Sequence, residues 1–331
     1  MSQVLIKSMF ELIALSIFIN LFFFKYFDKI SNLFNLYDFP NEKRKIHGIK
    51  ISNVAGFVFA INTLLIYFYY IFNNNIFFNI YIFSLIFFFI GFLDDKNFFS
   101  PISKLLISII IIYVSIIFND DFQIRNLKID SINIDLNLGK YSIFFTILCV
   151  LLLVNALNMF DGINLQSGLY ILTVFIIFVF LSIYVKFSLV TLVSLLIFLY
   201  FNFKNKIFLG NSGIWLFSYF ISHALISSFN KKLIDTEFIL MILIFPGLDM
   251  FRVFLQRVFS KKNPFNADKI HIHHILLNFF NEIKVVIIVF LGYFIPIIFY
   301  KITNAFIPSF TIVVLIYLII FIYFGILKKN C

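Results

Sequence analysis

Two adjacent carboxylates are the first chemistry that the chain offers. Asp94 and Asp95 close an apolar run, and Lys104 follows nine residues later. Neighbouring carboxylates at a membrane boundary repel each other and need protons or a cation. Mg²⁺ suits them, because hard oxygen ligands and substrate phosphates complete its octahedron. The pair reads equally as two solvated aspartates capping the next helix. Further on, Asn155, Asn158 and Asp161 recur every third residue ahead of Gly162 and Asn164. That spacing sets them near one face of a helix end. Polar side chains are costly in lipid, so function is their default reading; a helix stop and turn is the plain alternative.

Two more polar segments follow. Phe208-Leu209-Gly210-Asn211-Ser212-Gly213 has glycines around polar residues at a helix start, where backbone N–H groups can face an anion. The longest basic loop holds Arg252, Arg257, Lys261 and Lys262, then Asn263-Pro264-Phe265, Asp268 and His271-Ile272-His273-His274. Zinc is disfavoured there, since no cysteine accompanies the histidines and His273 and His274 lie on different faces of any regular element. Imidazoles donating to a diphosphate suit so many cations better, against the simple alternative of a basic cytoplasmic loop. A fifth segment carries Asp38, Pro40-Asn41, Arg44-Lys45 and His47, a juxtamembrane stretch able to hold anionic headgroups.

The elements that must position these groups are membrane helices. The 331 residues are 62% hydrophobic and 13% charged, with a mean hydropathy of +1.03. Soluble domains are nearer half apolar and a quarter charged, so the bilayer is the expected solvent for much of the surface. The 52 phenylalanines follow AT-rich codon usage more simply than any aromatic binding role. Eleven apolar runs are long enough to be candidate spans: 8–27, 53–72, 77–93, 102–118, 141–158, 167–184, 188–203, 213–229, 236–254, 284–300 and 307–327. Only helices satisfy their own backbone in lipid, which predicts an all-α polytopic bundle. One integral-membrane domain over 1–331 is expected, with no soluble domain. The first run lacks a small-residue cleavage site and reads as an uncleaved span. Cys149 and Cys331 form no Cys-x-x-Cys pair, so a disulfide framework is not expected.

Charge placement orients the bundle. Loops 28–50, 94–104, 204–212, 255–283 and the C-terminus, with flanking Lys25, Arg252 and Lys284, hold 18 of the 26 Lys and Arg, and the other side holds 8. The richer side is expected to be cytoplasmic, with the N-terminus outside and the C-terminus inside. The net charge of +10 thus belongs with a membrane partner and not with nucleic acid. In the outer loop 119–140, alternating Ile132, Ile134, Leu136 and Leu138 after Asp130-Ser131 predict a short β-hairpin, or else an irregular loop.

Taken in order, these five cytoplasmic segments resemble the polyprenyl-phosphate N-acetylhexosamine-1-phosphate transferases. That superfamily includes the phospho-N-acetylmuramoyl-pentapeptide transferases and the UDP-GlcNAc:undecaprenyl-phosphate GlcNAc-1-phosphate transferases. The match runs over roughly residues 36–276, and the segments 40–47 and 263–274 look like the GlcNAc-1-phosphate branch. The resemblance implies transfer of a sugar 1-phosphate from a UDP-sugar to undecaprenyl phosphate, with release of UMP. It implies Mg²⁺ (Mn²⁺ substituting), a bacterial cytoplasmic membrane and an active site facing the cytoplasm, and it allows a homodimer. Asp94 and Asp95 resemble the aspartate pair assigned to Mg²⁺ and the lipid phosphate. Asp161, with Asn155 and Asn158, matches the motif tied to the nucleotide and the metal. Phe208 sits where an aromatic stacks on uracil, and His271, His273 and His274 match the histidine motif contacting phosphates. Lys104, Arg44, Lys45 and Arg252 are implied phosphate neutralisers.

Several positions depart from the pattern. Asn211 stands where most relatives have an aspartate metal ligand, its amide oxygen still able to coordinate. Asn164, in the uracil-binding stretch, replaces an aspartate and Leu165 a glycine; Lys50, Ser52, Ala55, Ser108 and Ile275 are further exchanges. Three alternatives follow: the same reaction on another UDP-sugar, a weakened homologue with a binding or regulatory role, and a transporter. The carboxylates cluster at one surface and the halves do not repeat, which argues against transport.

Overall fold

Lipid offers the backbone no hydrogen-bond partners, so an apolar run must pair its own N–H and C=O groups, and a helix does so within one segment. The computed structural model describes residues 3–38, 50–73, 79–261 and 270–330. Among the described residues each of the eleven apolar runs is helical over most of its length, though 167–184 outlasts its helix, which stops at Phe180. Among the described residues the helices are α1 (Gln3–Lys25), α2 (Phe27–Phe34), α3 (Val54–Phe72), α4 (Asn79–Asp95), α5 (Pro101–Phe118), α6 (Ser142–Phe160), α7 (Gln166–Phe180), α8 (Val185–Phe203), α9 (Gly210–Asn230), α10 (Thr236–Phe259), α11 (Ile272–Leu276), α12 (Glu282–Thr303) and α13 (Phe306–Asn330). Eight of them, α1, α3, α5, α6, α8, α10, α12 and α13, are long and apolar enough to cross a membrane. α4 and α7 have 17 and 15 residues, and α9 carries five serines, two asparagines and a histidine. The all-α polytopic expectation stands.

The expected hairpin is present: β3 (Asn126–Ile129) pairs antiparallel with β4 (Ile134–Asn137), with Leu127 opposite Leu136 and Lys128 opposite Asp135. Sequence reading overlooked α2 and the two-residue strands β1 (Tyr37–Asp38) and β2 (Ile51–Ser52), which pair antiparallel. They are too short to show a period. Arg44, Lys45 and His47 lie outside the described residues.

Contacts group the chain into two compact units, Met1–Asn119 with Gly168–Ala224, and Asp120–Ser167 with Leu225–Cys331. In the first, α1, α3 and α8 share a buried polar seam: Asn20 Nδ2 donates to Ser194 Oγ (2.8 Å) and Asn62 Nδ2 donates to the same oxygen (3.2 Å). Such interhelical bonds replace a hydrophobic driving force that lipid cannot supply. A close approach sets the active end of this unit. A Cβ at Gly91 of α4 would lie 2.5 Å from the Asn211 carbonyl oxygen, so only glycine lets α4 run this close to the start of α9.

In the second unit α10 packs against α6, α12 and α13. Asp235 caps α10 by accepting the Phe238 N–H at 2.6 Å, and Asn281 caps α12 by accepting that of Lys284 at 3.0 Å. The hairpin is tied down by Glu237, whose Oε1 accepts the Ser131 N–H (2.7 Å) and hydroxyl (2.6 Å).

Candidate active site

The first unit assembles its polar groups where α4, α5 and α9 end or begin. Asp94 accepts Lys104 Nζ on both oxygens (3.2 and 3.1 Å), and its Oδ2 also accepts Asn211 Nδ2 at 3.0 Å. Asp95 turns to the start of α9, where Oδ1 accepts the Asn211 N–H (3.0 Å) and Oδ2 that of Ser212 (3.1 Å). Asp95 therefore does cap a helix, but not the next one. α5 has its own cap, Ser100, which accepts the Ser103 N–H at 3.1 Å ahead of Pro101. The apolar stretch of α4 stops at Leu93. Just beyond it, burial pushes the Asp95 carboxyl up to about 7, against the pull of the two N–H groups. Lys104, expected beside phosphate, is ion-paired to Asp94. Phe208 is half-buried, with its N–H given to the Ser52 carbonyl at 2.7 Å.

The second unit holds the asparagines, Asp161 and the histidines. α6 ends at Phe160, and Asp161 is its C-cap. Asn155 is exposed, its amide donating back to the Leu151 carbonyl at 2.8 Å, and Asn158 is half-buried. Asp161 accepts the Ser167 hydroxyl on Oδ1, and burial lifts its carboxyl to about 6. The Asn164 N–H donates to Glu282 Oε1 at 2.9 Å. Leu165 adopts φ +66. This left-handed conformation costs a side-chain-bearing residue on the order of 1 kcal/mol.

The three histidines have separate surroundings. His273 is 1% exposed; Gln166 Nε2 stands 3.5 Å from its Nδ1, and its Nε2 has no hydrogen-bond partner among the described residues. A Cβ at Gly162 would lie 1.9 Å from that nitrogen, which is why the residue after Asp161 must lack a side chain. Burial first, then the neighbouring His274 charge, pulls the His273 pKa well below the usual imidazole value. His274 is half-buried. His271 donates Nδ1–H to Asp249 Oδ2 at 2.8 Å. Arg252 spends four of its five N–H groups on the protein: Nε on Tyr317 (2.6 Å), Nη1 on Gln256 (3.0 Å), and Nη2 on Asp249 (2.8 Å) and the Ile270 carbonyl (2.7 Å). Asp249 escaped sequence reading because it is a lone acid inside an apolar run. Its spacing of three from Arg252 was the available signal.

Among the described residues no three His, Cys, Asp or Glu side chains converge as a metal cage. Mg²⁺ does not need one, since one or two carboxylates with water and substrate phosphates suffice. The donors present fit that mode. Asp94 Oδ1 accepts Lys104 alone, and no donor among the described residues reaches Asp161 Oδ2. Asn211 turns its amide nitrogen to Asp94, whereas its amide oxygen was the expected ligand.

Residues 77–229 match glycosyl transferase family 4. The chain is 31% identical over 237 residues, 71% of its length and 70% of the relative's, to an undecaprenyl-phosphate alpha-N-acetylglucosaminyl 1-phosphate transferase of Thermotoga maritima. It is 26% identical over 290 residues (81% of this chain, 76% of the relative) to the protein of the same name in Escherichia coli O157:H7. A phospho-N-acetylmuramoyl-pentapeptide-transferase of Petrotoga mobilis is 32% identical over 253 residues, with 70% and 76% covered, so overall identity does not separate the two branches. With a relative 31% identical and covered over 70% of its length, the chain belongs to glycosyl transferase family 4.

Proposed function

We propose that this enzyme transfers an N-acetylhexosamine 1-phosphate, GlcNAc-1-phosphate before others, from a UDP-sugar to undecaprenyl phosphate at the cytoplasmic face of a bacterial inner membrane. The observation that carries the reading is the cluster of Asp94, Asp95, Lys104 and Asn211 at the end of α4, in a chain whose relatives bear the names of that reaction. An oxygen of the lipid phosphate forms a bond to the β-phosphorus of the UDP-sugar. The bond from that phosphorus to the bridging oxygen breaks, and UMP leaves. The product is a lipid-linked diphosphate sugar that starts a surface glycan.

Both substrates are anionic, so most of the catalytic task is positioning and neutralising charge. A lipid phosphate with a second pKa of roughly 6 is already largely dianionic and hardly needs a base. Mg²⁺, with Mn²⁺ as a substitute, would be held through Asp94 or Asp161 and would screen the charge of the phosphates. Lys104 keeps Asp94 oriented, and the remaining N–H of Arg252 is available to an anion. Phe208 offers a ring to the uracil, and Asn155, Asn158 and Asn164 supply amide groups around the nucleotide.

The test is UMP release from purified protein with undecaprenyl phosphate, Mg²⁺ and a panel of UDP-sugars. Release with UDP-GlcNAc is expected. Release with a different UDP-sugar alone would change the donor, and no release with any would sink the reading. A second reading, a weakened homologue, is favoured by one observation. The Asn211 amide nitrogen faces Asp94, where an acceptor would be expected beside a cation.

A further inference from the structure

Asp249 is the most heavily engaged carboxylate among the described residues, and no motif led to it. It lies on α10 and is 2% exposed. Its two oxygens are used unequally. Oδ1 accepts the Arg252 guanidinium (2.8 Å), the Tyr317 hydroxyl (2.9 Å) and the Ile272 N–H (3.1 Å). Oδ2 accepts His271 Nδ1 alone, at 2.8 Å. His271 is the N-cap residue of α11, and Ile272 is the first residue of that helix. One carboxylate thus holds both the ring of His271 and the backbone that follows it. Arg252 grips the residue before, through the Ile270 carbonyl, and its own plane lies 4.6 Å over the Phe321 ring.

We propose that Asp249 is the positioning residue of this enzyme, fixing His271 in the Nδ1–H form so that Nε2 is the nitrogen left for chemistry. This rests on the transferase reading above. A neutral imidazole shares one proton between two nitrogens, and its partner decides which keeps it. With Asp249 accepting from Nδ1, any second proton must go to Nε2. Without that proton Nε2 carries the lone pair and accepts, a role that the Nε2–H tautomer cannot fill. His273, in the same segment, is placed differently. Among the described residues His273 meets Gln166 and Gly162, and neither is a carboxylate. Oδ1, Arg252 and Tyr317 form the frame, and Oδ2 is the working contact.

The variants are Asp249→Asn, Asp249→Glu, His271→Gln and the double Asp249→Asn/His271→Gln, made in the full chain. Asparagine keeps the Oδ1 contacts but turns an N–H₂ group toward Nδ1, which moves the ring proton to Nε2. Turnover of Asp249→Asn is expected to fall at least ~10²-fold, with KM for the UDP-sugar within about threefold and an unfolding midpoint close to wild type. The double variant should be no slower than His271→Gln alone, because Asp249 acts through that ring. In protein labelled with ¹⁵N-histidine, the His271 signal, assigned by its loss in His271→Gln, should report Nδ1–H in wild type and Nε2–H in Asp249→Asn. Multiplicative losses in the double variant, or an unchanged tautomer, would overturn the proposal. If Asp249→Asn does not fold, Asp249→Glu takes its place: retention of the Nδ1–H form supports the proposal and its loss counts against it. A wild type that transfers nothing would defeat the transferase reading, and the tautomer measurement would still judge the role of Asp249.

Discussion

Asp95 and Asn211 lie 116 residues apart in the chain, yet the carboxylate of one accepts the backbone N–H of the other at 3.0 Å. Together with the Ser212 bond this makes Asp95 the N-terminal cap of α9, delivered from the end of α4. Asp94 beside it does something different, since its partners are side chains, Lys104 and Asn211.

The two neighbours should therefore fail differently. Asp95→Ala strips two N–H groups of their acceptor and is expected to lower stability by about 1–2 kcal/mol. Asp94→Asn leaves the helix ends intact and should unfold near the wild-type midpoint, while UMP release falls at least ~10²-fold. Thermal unfolding in detergent beside the UMP assay separates them. Equal stability of both variants would mean that the cap at Asp95 carries no weight.

Asn211→Asp would set a second carboxylate about where Asn211 Nδ2 now lies, 3.0 Å from Asp94 Oδ2. Two carboxylates at that distance, with Lys104 already paired to one, call for a further cation. The variant is expected to be less stable than wild type without Mg²⁺ and to gain more in melting temperature as Mg²⁺ is added. Its rate should reach half-maximum at lower Mg²⁺, because a carboxylate binds this ion better than an amide does. A Mg²⁺ titration of both proteins by melting and by rate decides the matter. Activity appearing only in the variant would favour the weakened homologue, and unchanged midpoints would place the metal elsewhere.

His273 carries a pH signature. Its folded pKa is depressed by burial, so below about 6.5 the unfolded chain takes up a proton that the folded chain refuses. The stability it contributes is present above the unfolded value and is lost as pH falls toward the folded one. Relative to His273→Gln, wild type should lose about 1.4 kcal/mol per pH unit below 6.5. Denaturant melts of both proteins between pH 5 and 8 on the order of one unit apart would measure it. Parallel pH dependences would show that the ring takes up its proton in the fold as readily as in the unfolded chain.

The orientation drawn from Lys and Arg placement predicts which loops face outward. Asp135 in β4 and Lys204 after α8 are both exposed. Single cysteines at these positions, in a chain with Cys149 and Cys331 replaced, should differ in intact cells. A membrane-impermeant thiol reagent is expected to label Asp135→Cys and spare Lys204→Cys until the cells are opened. The reverse pattern would put the polar clusters on the wrong face for a cytoplasmic UDP-sugar.

What could be read along the chain was whatever lipid imposes on a linear order. Apolar runs become helices because a helix pairs its backbone within one segment, and among the described residues each run is helical over most of its length. Polar residues that interrupt such a chain are costly, so Asp94, Asp95, Asp161 and the histidines stood out one by one. Partnership was not legible, because it depends on which distant atoms folding brings together. Lys104 and Arg252 looked like cations open to phosphate, yet both are committed to aspartates, since a charge held away from water needs a counter-charge nearby. Asn211 invited a reading as an oxygen ligand, but the acid opposite it selects its nitrogen. Asp249, alone between Leu248 and Met250, had only its spacing from Arg252 to mark it. Only folding, with α13 packed against both α10 and α11, joins it to His271, 22 residues on, and to Tyr317, 68 residues on.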